Sequence, residues 1–364
     1  MKKLFALLVA VLFIFTLSAC GREEFEIAMI TDAGDIDDES FNQGTWEGIV
    51  AYAEENEISH KYYKPSAVSD TAYLNAIDLA VNGGAKIVIT PGFLFEKAVW
   101  EAQTKHPDVK FILIDGYPHE GDYVADVASN TASVFFAEHE SGFLAGYAAV
   151  KDGYTDLGFM GGMAVPAVVK FGIGYIAGAY YAAKEDNVTL NFPDNRYTYL
   201  GDFEAKAEHK NAAASWYNGG TEIIFAAAGG AGSSVMSAAS ESSTDVMMIG
   251  VDVDQSGNSD TVLTSAMKEL GIAVQQLLEA HYADEFPGGE ILTKDVTEDG
   301  VGLPMETSRF DTFSESQYLA IYTAIENGSV VVPSTYAELT AFFSEKQLDT
   351  LLIQEDTITP PAQE

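Results

Sequence analysis

The sequence predicts an α/β protein built as two Rossmann-like lobes, each a parallel sheet covered by helices. Three observations predict it. Short apolar runs alternate with longer helical stretches between residues 25 and 252, the rhythm of parallel strands joined by crossover helices. That rhythm runs twice, with Ser129-Asn130 between the two series. The 364 residues also suffice for two units of ordinary domain size, and at 47% hydrophobic the chain has the material for a core.

In the first series, strands are expected at 25–30, 61–63, 86–89 and 111–114, with helices at 46–54, 70–81 and 95–105. Asn82-Gly83-Gly84 and Pro91-Gly92 supply the stops. The second series reads as helix 138–150, strand 157–160, helix 168–183, strand 197–199, helix 205–217, strand 222–226, helix 233–239 and strand 246–251. Ser141, Gly142, Ala145 and Gly146 in the first of these helices permit close packing. Residues 355–364 read as a frayed tail.

Ahead of the lobes lies an export signal. Lys2 and Lys3 precede an apolar run over 4–17, shorter than the roughly 20 residues of a spanning helix. It ends in Leu17-Ser18-Ala19-Cys20, and Cys20 is the single cysteine of the chain. Cleavage before Cys20 with lipid attachment to its thiol is expected, so residues 1–19 form a lipoprotein signal peptide and 20–24 a lipidated tether. The product would be held at the extracytoplasmic face of the cell membrane. One cysteine excludes an internal disulfide and cysteine-built zinc sites. With 55 acidic against 19 basic residues the formal charge is −36, and without a basic run nucleic-acid binding is excluded.

Ligands of open α/β sheets sit beyond the carboxyl ends of strands. That rule nominates Asp32, Asp115, Gly161-Gly162, Gly229-Gly230 and Asp252. The polar stretch from Thr31 to Gln43 adds Phe41, whose ring can stack on a flat ligand, and Asn42, which donates and accepts. Asp35, Asp37 and Asp38 read instead as a solvated turn capping the next helix. Asp252 opens a calcium-like loop, but its twelfth position is Leu263 where a bidentate Glu is required. Gly172-Ile173-Gly174 lies on a helix rather than in a strand-to-helix turn, so it marks helix packing and not a dinucleotide site. Neither a zinc-protease motif nor a nucleophile elbow occurs, and Glu138-His139-Glu140 reads as a helix-face pair. No catalytic residue, metal or cofactor is implied.

Several blocks together resemble the basic membrane protein family of bacterial lipoproteins. They are Thr31-Asp32-Ala33-Gly34-Asp35-Ile36-Asp37-Asp38-Glu39-Ser40-Phe41-Asn42-Gln43, Glu140-Ser141-Gly142-Phe143-Leu144-Ala145-Gly146, Lys170-Phe171, Ala228-Gly229-Gly230-Ala231-Gly232, Ile249-Gly250-Val251-Asp252 and Thr264-Ser265-Ala266-Met267-Lys268. The resemblance implies a type I periplasmic-binding fold, no enzymatic activity, and capture of nucleosides, purine nucleosides first, for an ABC transporter permease. It implies a base sandwiched by Phe41 and Phe171, a purine edge read by Asn42 and Asp115, and a ribose held near Asp252, Lys268 and Gly229 or Gly230. In this fold class the chain crosses between lobes more than once. The first lobe is therefore expected at 25–129 with completion by about 256–295, the second at 130–255 with completion by about 296–348, and the tail at 349–364. A sugar or signal-molecule receptor of the same fold is the alternative, and a secreted nucleoside hydrolase the rival from another class.

Overall fold

Strands form where β-branched and aromatic residues run without polar interruption, and here the inner strands are buried on both faces, as parallel sheets require, while the edge strands His60–Tyr63 and Ile291–Lys294 are partly exposed. The computed structural model describes residues 25–360. Cys20, the signal segment and the tether lie outside the described residues. Two six-stranded sheets organise the chain. The first contains β1 (Ile27–Ile30), β2 (His60–Tyr63), β3 (Ile87–Pro91), β4 (Lys110–Ile114), β5 (Thr131–Phe136) and β11 (Ile291–Lys294). Its order is β11-β5-β4-β3-β1-β2 and every pairing is parallel. The second contains β6 (Leu157–Gly161), β7 (Tyr197–Tyr199), β8 (Ile223–Ala227), β9 (Met247–Asp252), β10 (Val262–Lys268) and β12 (Val301–Gly302). Its order, β12-β10-β9-β8-β6-β7, repeats the first strand for strand, with β12 alone antiparallel. The α/β architecture with two parallel-sheet lobes is thus observed.

The helices follow the same duplication. In the first lobe they are α1 (Phe41–Glu55), α2 (Asp70–Asn82) and α3 (Glu96–Lys105); in the second, α5 (Pro166–Asp186), α6 (Ala207–Asn218) and α7 (Gly232–Ser240). Two further helices exchange lobes. After β5 leaves the first sheet, α4 (Glu138–Lys151) packs on α5. After β10 leaves the second, α8 (Leu270–Tyr282) packs on α1. Together with the β11-to-β12 connection, three segments cross between the lobes. The α4–α5 contact is backbone to backbone: a Cβ on Gly142, Gly146, Gly174 or Gly178 would overlap a carbonyl oxygen of the facing helix.

The sheets correct the expected lobe boundaries at two places. Residues 131–136, assigned to the second lobe, form β5, in register with β4 from Phe111↔Thr131 to Ile114↔Val134. Ser129-Asn130 is the turn that ends the 115–130 connection and leads into β5 of the same sheet, not a boundary. Residues 262–268, expected to return to the first lobe, form β10 beside β9, and the return begins only with α8. The frayed tail is also corrected. Within it Ile358 is buried, as is Ile353 just before it, and the short α11 (Glu355–Ile358) is pinned where Tyr199 Oη donates to the Ile358 carbonyl at 2.7 Å. Between these lie α9 (Glu315–Glu326) and α10 (Tyr336–Lys346).

Candidate functional site

A parallel strand presents the residue after its last ladder bond at the sheet's carboxyl edge, and both lobes aim these edges at one cavity. It measures about 880 Å³ with its open mouth. Asp32, Phe41, Asn42, Asp115, Phe171, Gly229, Gly230, Asp252 and Lys268 all line it. Gly161 and Gly162 do not; a Cβ on Gly162 would overlap the Phe203 ring. Asp115 follows β4 and Asp252 ends the corresponding strand β9, and both turn the chain through left-handed backbone, at φ +56° and +66°. Aspartate tolerates that region better than most residues with a Cβ. The duplicated fold therefore delivers two carboxylates from opposite lobes into one space.

Lys268, the last residue of β10, lies between them. Its side chain is 2% exposed and pairs with Asp115 Oδ2. Glu138 Oε1 is 3.6 Å and Asp252 Oδ1 3.9 Å from its Nζ. The rings of Phe41, Phe136 and Phe171 surround the same ammonium at 4.6, 5.2 and 6.0 Å. Burial works against the charged lysine, and the carboxylates of Asp115, Glu138 and Asp252 outweigh it, so the pKa rises. Burial likewise raises the acids: Asp32 and Asp252 reach about 6, with hydrogen bonds to Gly34 and the charge of Lys268, respectively, pulling back. Asp115 is raised by burial too, against the pull of Lys268. Two buried acceptor atoms, Asp115 Oδ1 and Glu138 Oε2, have no hydrogen-bond partner; Glu138 Oε2 has an ammonium, that of Lys170, at 3.5 Å, while an unsatisfied Asp115 Oδ1 is a costly state for a dry carboxylate.

The acidic turn after β1 is a closed network. Asp32 Oδ1 accepts from Gly34 N at 2.7 Å and from Asn42 Nδ2 at 2.8 Å. Asn42 Nδ2 also donates to Asp38 Oδ2 at 2.9 Å, while its Oδ1 accepts from Asp32 N. Both amide hydrogens of Asn42 are thus committed inside the turn, and its geometry orients Asp32. Asp38 caps α1, as its turn position suggested, and additionally lines the cavity.

Phe171 borders the cavity but is 2% exposed, and its ring meets Phe225 edge-on at 5.9 Å. The half-buried second-lobe ring on the cavity wall is Phe203, in the loop after β7. It went unnoticed in the sequence, although the strand-end rule applied to 197–199 points to that loop. Glu138 and Lys170, whose Nζ is 3.5 Å from Glu138 Oε2, also line the cavity. The reading of Glu138 within a helix-face pair is corrected: it is buried and faces the cavity from a helix N-terminus, a place that the strand-end rule does not cover. Away from the cleft, Asp202, Glu208 and His209 could converge on a cation, but Lys206 already holds Asp202 at 2.6 Å.

Residues 25–335 match the family model described as ABC transporter substrate-binding protein PnrA-like. The ABC transporter nucleoside-binding protein BmpA of Lactococcus lactis subsp. cremoris is 30% identical over 334 residues, covering 86% of this chain and 90% of that protein. Basic membrane protein A of Borreliella burgdorferi is 28% identical, covering 89% and 92%. Among solved structures, a solute-binding protein of an ABC transporter system from Aeropyrum pernix K1 superposes with a TM-score of 0.73 at 21% identity, over 89% of this chain and all of that one. The lac repressor shares the fold at a TM-score of 0.53 and 13% identity, over 82% of this chain and 83% of that one. Among the described residues no helix is long and apolar enough to cross a membrane. The protein is a binding component with a ligand and a transporter as partners, not an enzyme, and the chain belongs to the PnrA-like family of ABC transporter substrate-binding proteins.

Proposed function

We propose that this chain is a lipid-anchored receptor that captures intact purine nucleosides between its lobes and delivers them to an ABC importer. The carrying observation is the pairing of a flat-ring surface with a buried unpaired acceptor in one cleft. Phe41 and Phe203 supply aromatic faces from opposite lobes, while Asp115 Oδ1 has no hydrogen-bond partner and Glu138 Oε2 has only the Lys170 ammonium at 3.5 Å. A nucleoside offers both a stacking base and N–H and O–H donors. Stacking contributes about 0.5–1.5 kcal/mol beyond burial, and each hydrogen bond to a charged group about 1.5–3 kcal/mol. A few of these reach micromolar affinity, roughly −8 kcal/mol. The nucleoside-binding relative from Lactococcus lactis supports the same reading. In this reading Asp252 meets the ribose hydroxyls and Gly229 and Gly230 let the sugar approach the backbone. Phe203 replaces Phe171 as the second stacking ring.

Titration calorimetry against inosine, guanosine, adenosine, cytidine, ribose and glucose tests it. Binding is expected for the purine nucleosides, with Phe41→Ala and Phe203→Ala each weakening it at least about tenfold. Binding of a sugar with no response to any nucleoside would reassign the ligand to the alternative class. The anchor has its own test: mass spectrometry of the mature protein should find a diacylglyceryl group on Cys20, lost in Cys20→Ala.

A further inference from the structure

Ser40 occupies the N-cap position of α1 yet makes no capping hydrogen bond. A serine there ordinarily turns its hydroxyl onto the first helical turn. Asp38 has taken over that role, its carboxylate accepting from the backbone N–H groups of Asn42 and Gln43 at 3.0 Å each. The Ser40 hydroxyl instead donates across the lobes to Asp252 Oδ2 at 2.6 Å. One residue earlier, Glu39 holds φ +55°, a strained region for a residue with a Cβ. Its carbonyl oxygen accepts from Gln255 Nε2 of the second lobe at 2.8 Å. Gln255 is itself fixed: its N–H donates to Ser265 Oγ at 3.0 Å, and its side chain lies over Gly250, where a Cβ would overlap Gln255 Oε1. Ser40, Gln255 and Asp252 are 0%, 3% and 7% exposed. A freed cap, a strained carbonyl and a glycine cleared for an amide all serve two hydrogen bonds between lobes, the first buried and the second part-buried.

We propose that Ser40 and Gln255 are positioning residues that latch the lobes in their closed arrangement and thereby set how long the cleft retains its ligand. Ser40 takes Asp252 Oδ2 and leaves Oδ1, 3.9 Å from Lys268 Nζ, as the oxygen offered to the ligand. Gln255 fixes the backbone just before Phe41 and Asn42, so the ring and the amide keep their places relative to the second lobe. Opening the cleft breaks both bonds, and the latch slows dissociation more than it changes association. The ligand arm of the test rests on the nucleoside reading above; the latch itself does not.

The experiment compares wild type with Ser40→Ala, Gln255→Met and the double variant by two readouts. One is the distance distribution between spin labels at Glu101→Cys and Ser237→Cys, exposed sites on α3 and α7, in a Cys20→Ser background without ligand. The other is the dissociation rate of inosine. The double variant is expected to shift the labels toward longer separations and to release inosine roughly tenfold faster, with the association rate changed less than threefold. Unchanged distances and an unchanged dissociation rate would overturn the latch, as would a lowered melting temperature with neither readout moved. If wild type binds no nucleoside, the ligand reading fails and the label distances still decide the latch. Should the double variant not fold, Gln255→Met, which keeps the side-chain volume, carries the same readouts.

Discussion

At Lys268 one ammonium faces the carboxylates of Asp115, Glu138 and Asp252 in a site almost closed to water. Removing one partner of a buried charge cluster leaves the others uncompensated, which costs about 3–5 kcal/mol. Lys268→Met is expected to lose stability on that scale in urea unfolding at neutral pH, with part of the loss recovered near pH 5 as the stranded acids protonate. Wild type has a pH signature of its own. Asp32 and Asp252 titrate near 6 in the folded chain against an ordinary 3.8. Between those values the folded state holds more protons than the unfolded state, so their contribution to stability falls as pH rises through that window and levels off above it. A ligand that donates to ionised carboxylates competes with the same protons. Inosine affinity should therefore rise from about pH 5 to about pH 7 and then flatten in calorimetric titrations; a flat profile would show that these acids do not meet the ligand. The strand-end rule made Asp32, Asp115 and Asp252 legible before any coordinates. Lys268 and Phe171 came from resemblance alone, and the commitment of Asn42 to Asp32 and Asp38 is a side-chain geometry that residue order does not encode.

Among the elements, α4 and α5 make the closest contact, and their glycines account for it. A Cβ on Gly146 would overlap the Tyr175 carbonyl oxygen, and one on Gly174 the His139 carbonyl oxygen. Alanine normally favours a helix over glycine by about 1 kcal/mol. Here the obstacle is backbone, which cannot rotate away, so overpacking prevails. Gly146→Ala is expected to destabilise by about 1–3 kcal/mol in denaturant titrations, opposite in sign to helix propensity. The small residues of α4 and the placement of Gly172 and Gly174 on a helix were readable from spacing. So were most strands and helices through Asp252, because their periodicity is local. Beyond that point local signals went unused: Ser314 with Gln317 and Thr335 with Glu338 form the capping boxes of α9 and α10, a signature written in sequence. The misplaced β5 and β10 differ in kind. Which sheet a strand joins is decided by partners far along the chain, and neither Thr131–Phe136 nor Val262–Lys268 carries a mark of its neighbour.

For the molecule as a whole, the decisive quantity is a formal charge of −36 on 364 residues. Like charges crowded on a folded surface repel more than in the expanded chain, so this self-repulsion weakens the compact state. Salt acts on two opposing terms. It weakens exposed ion pairs such as Lys105–Asp78 and Lys210–Glu241, each worth at most about 1 kcal/mol. It also screens the repulsion among acids that outnumber the basic residues 55 to 19, most of which have no cation to pair with. The second term is the larger, because it sums over the unpaired excess while the first is limited by the few lysines and arginines. The buried Lys268 cluster, shielded from ions by the lobes, contributes little to either. Adding sodium chloride from about 0.02 M to about 0.5 M, where the Debye length shrinks from roughly 20 Å to roughly 4 Å, should raise the melting temperature steadily. Inosine affinity should change much less, since the groups assigned to it lie inside the cleft. A melting temperature that falls with salt would mean that surface ion pairs, not acidic repulsion, govern the stability of this fold.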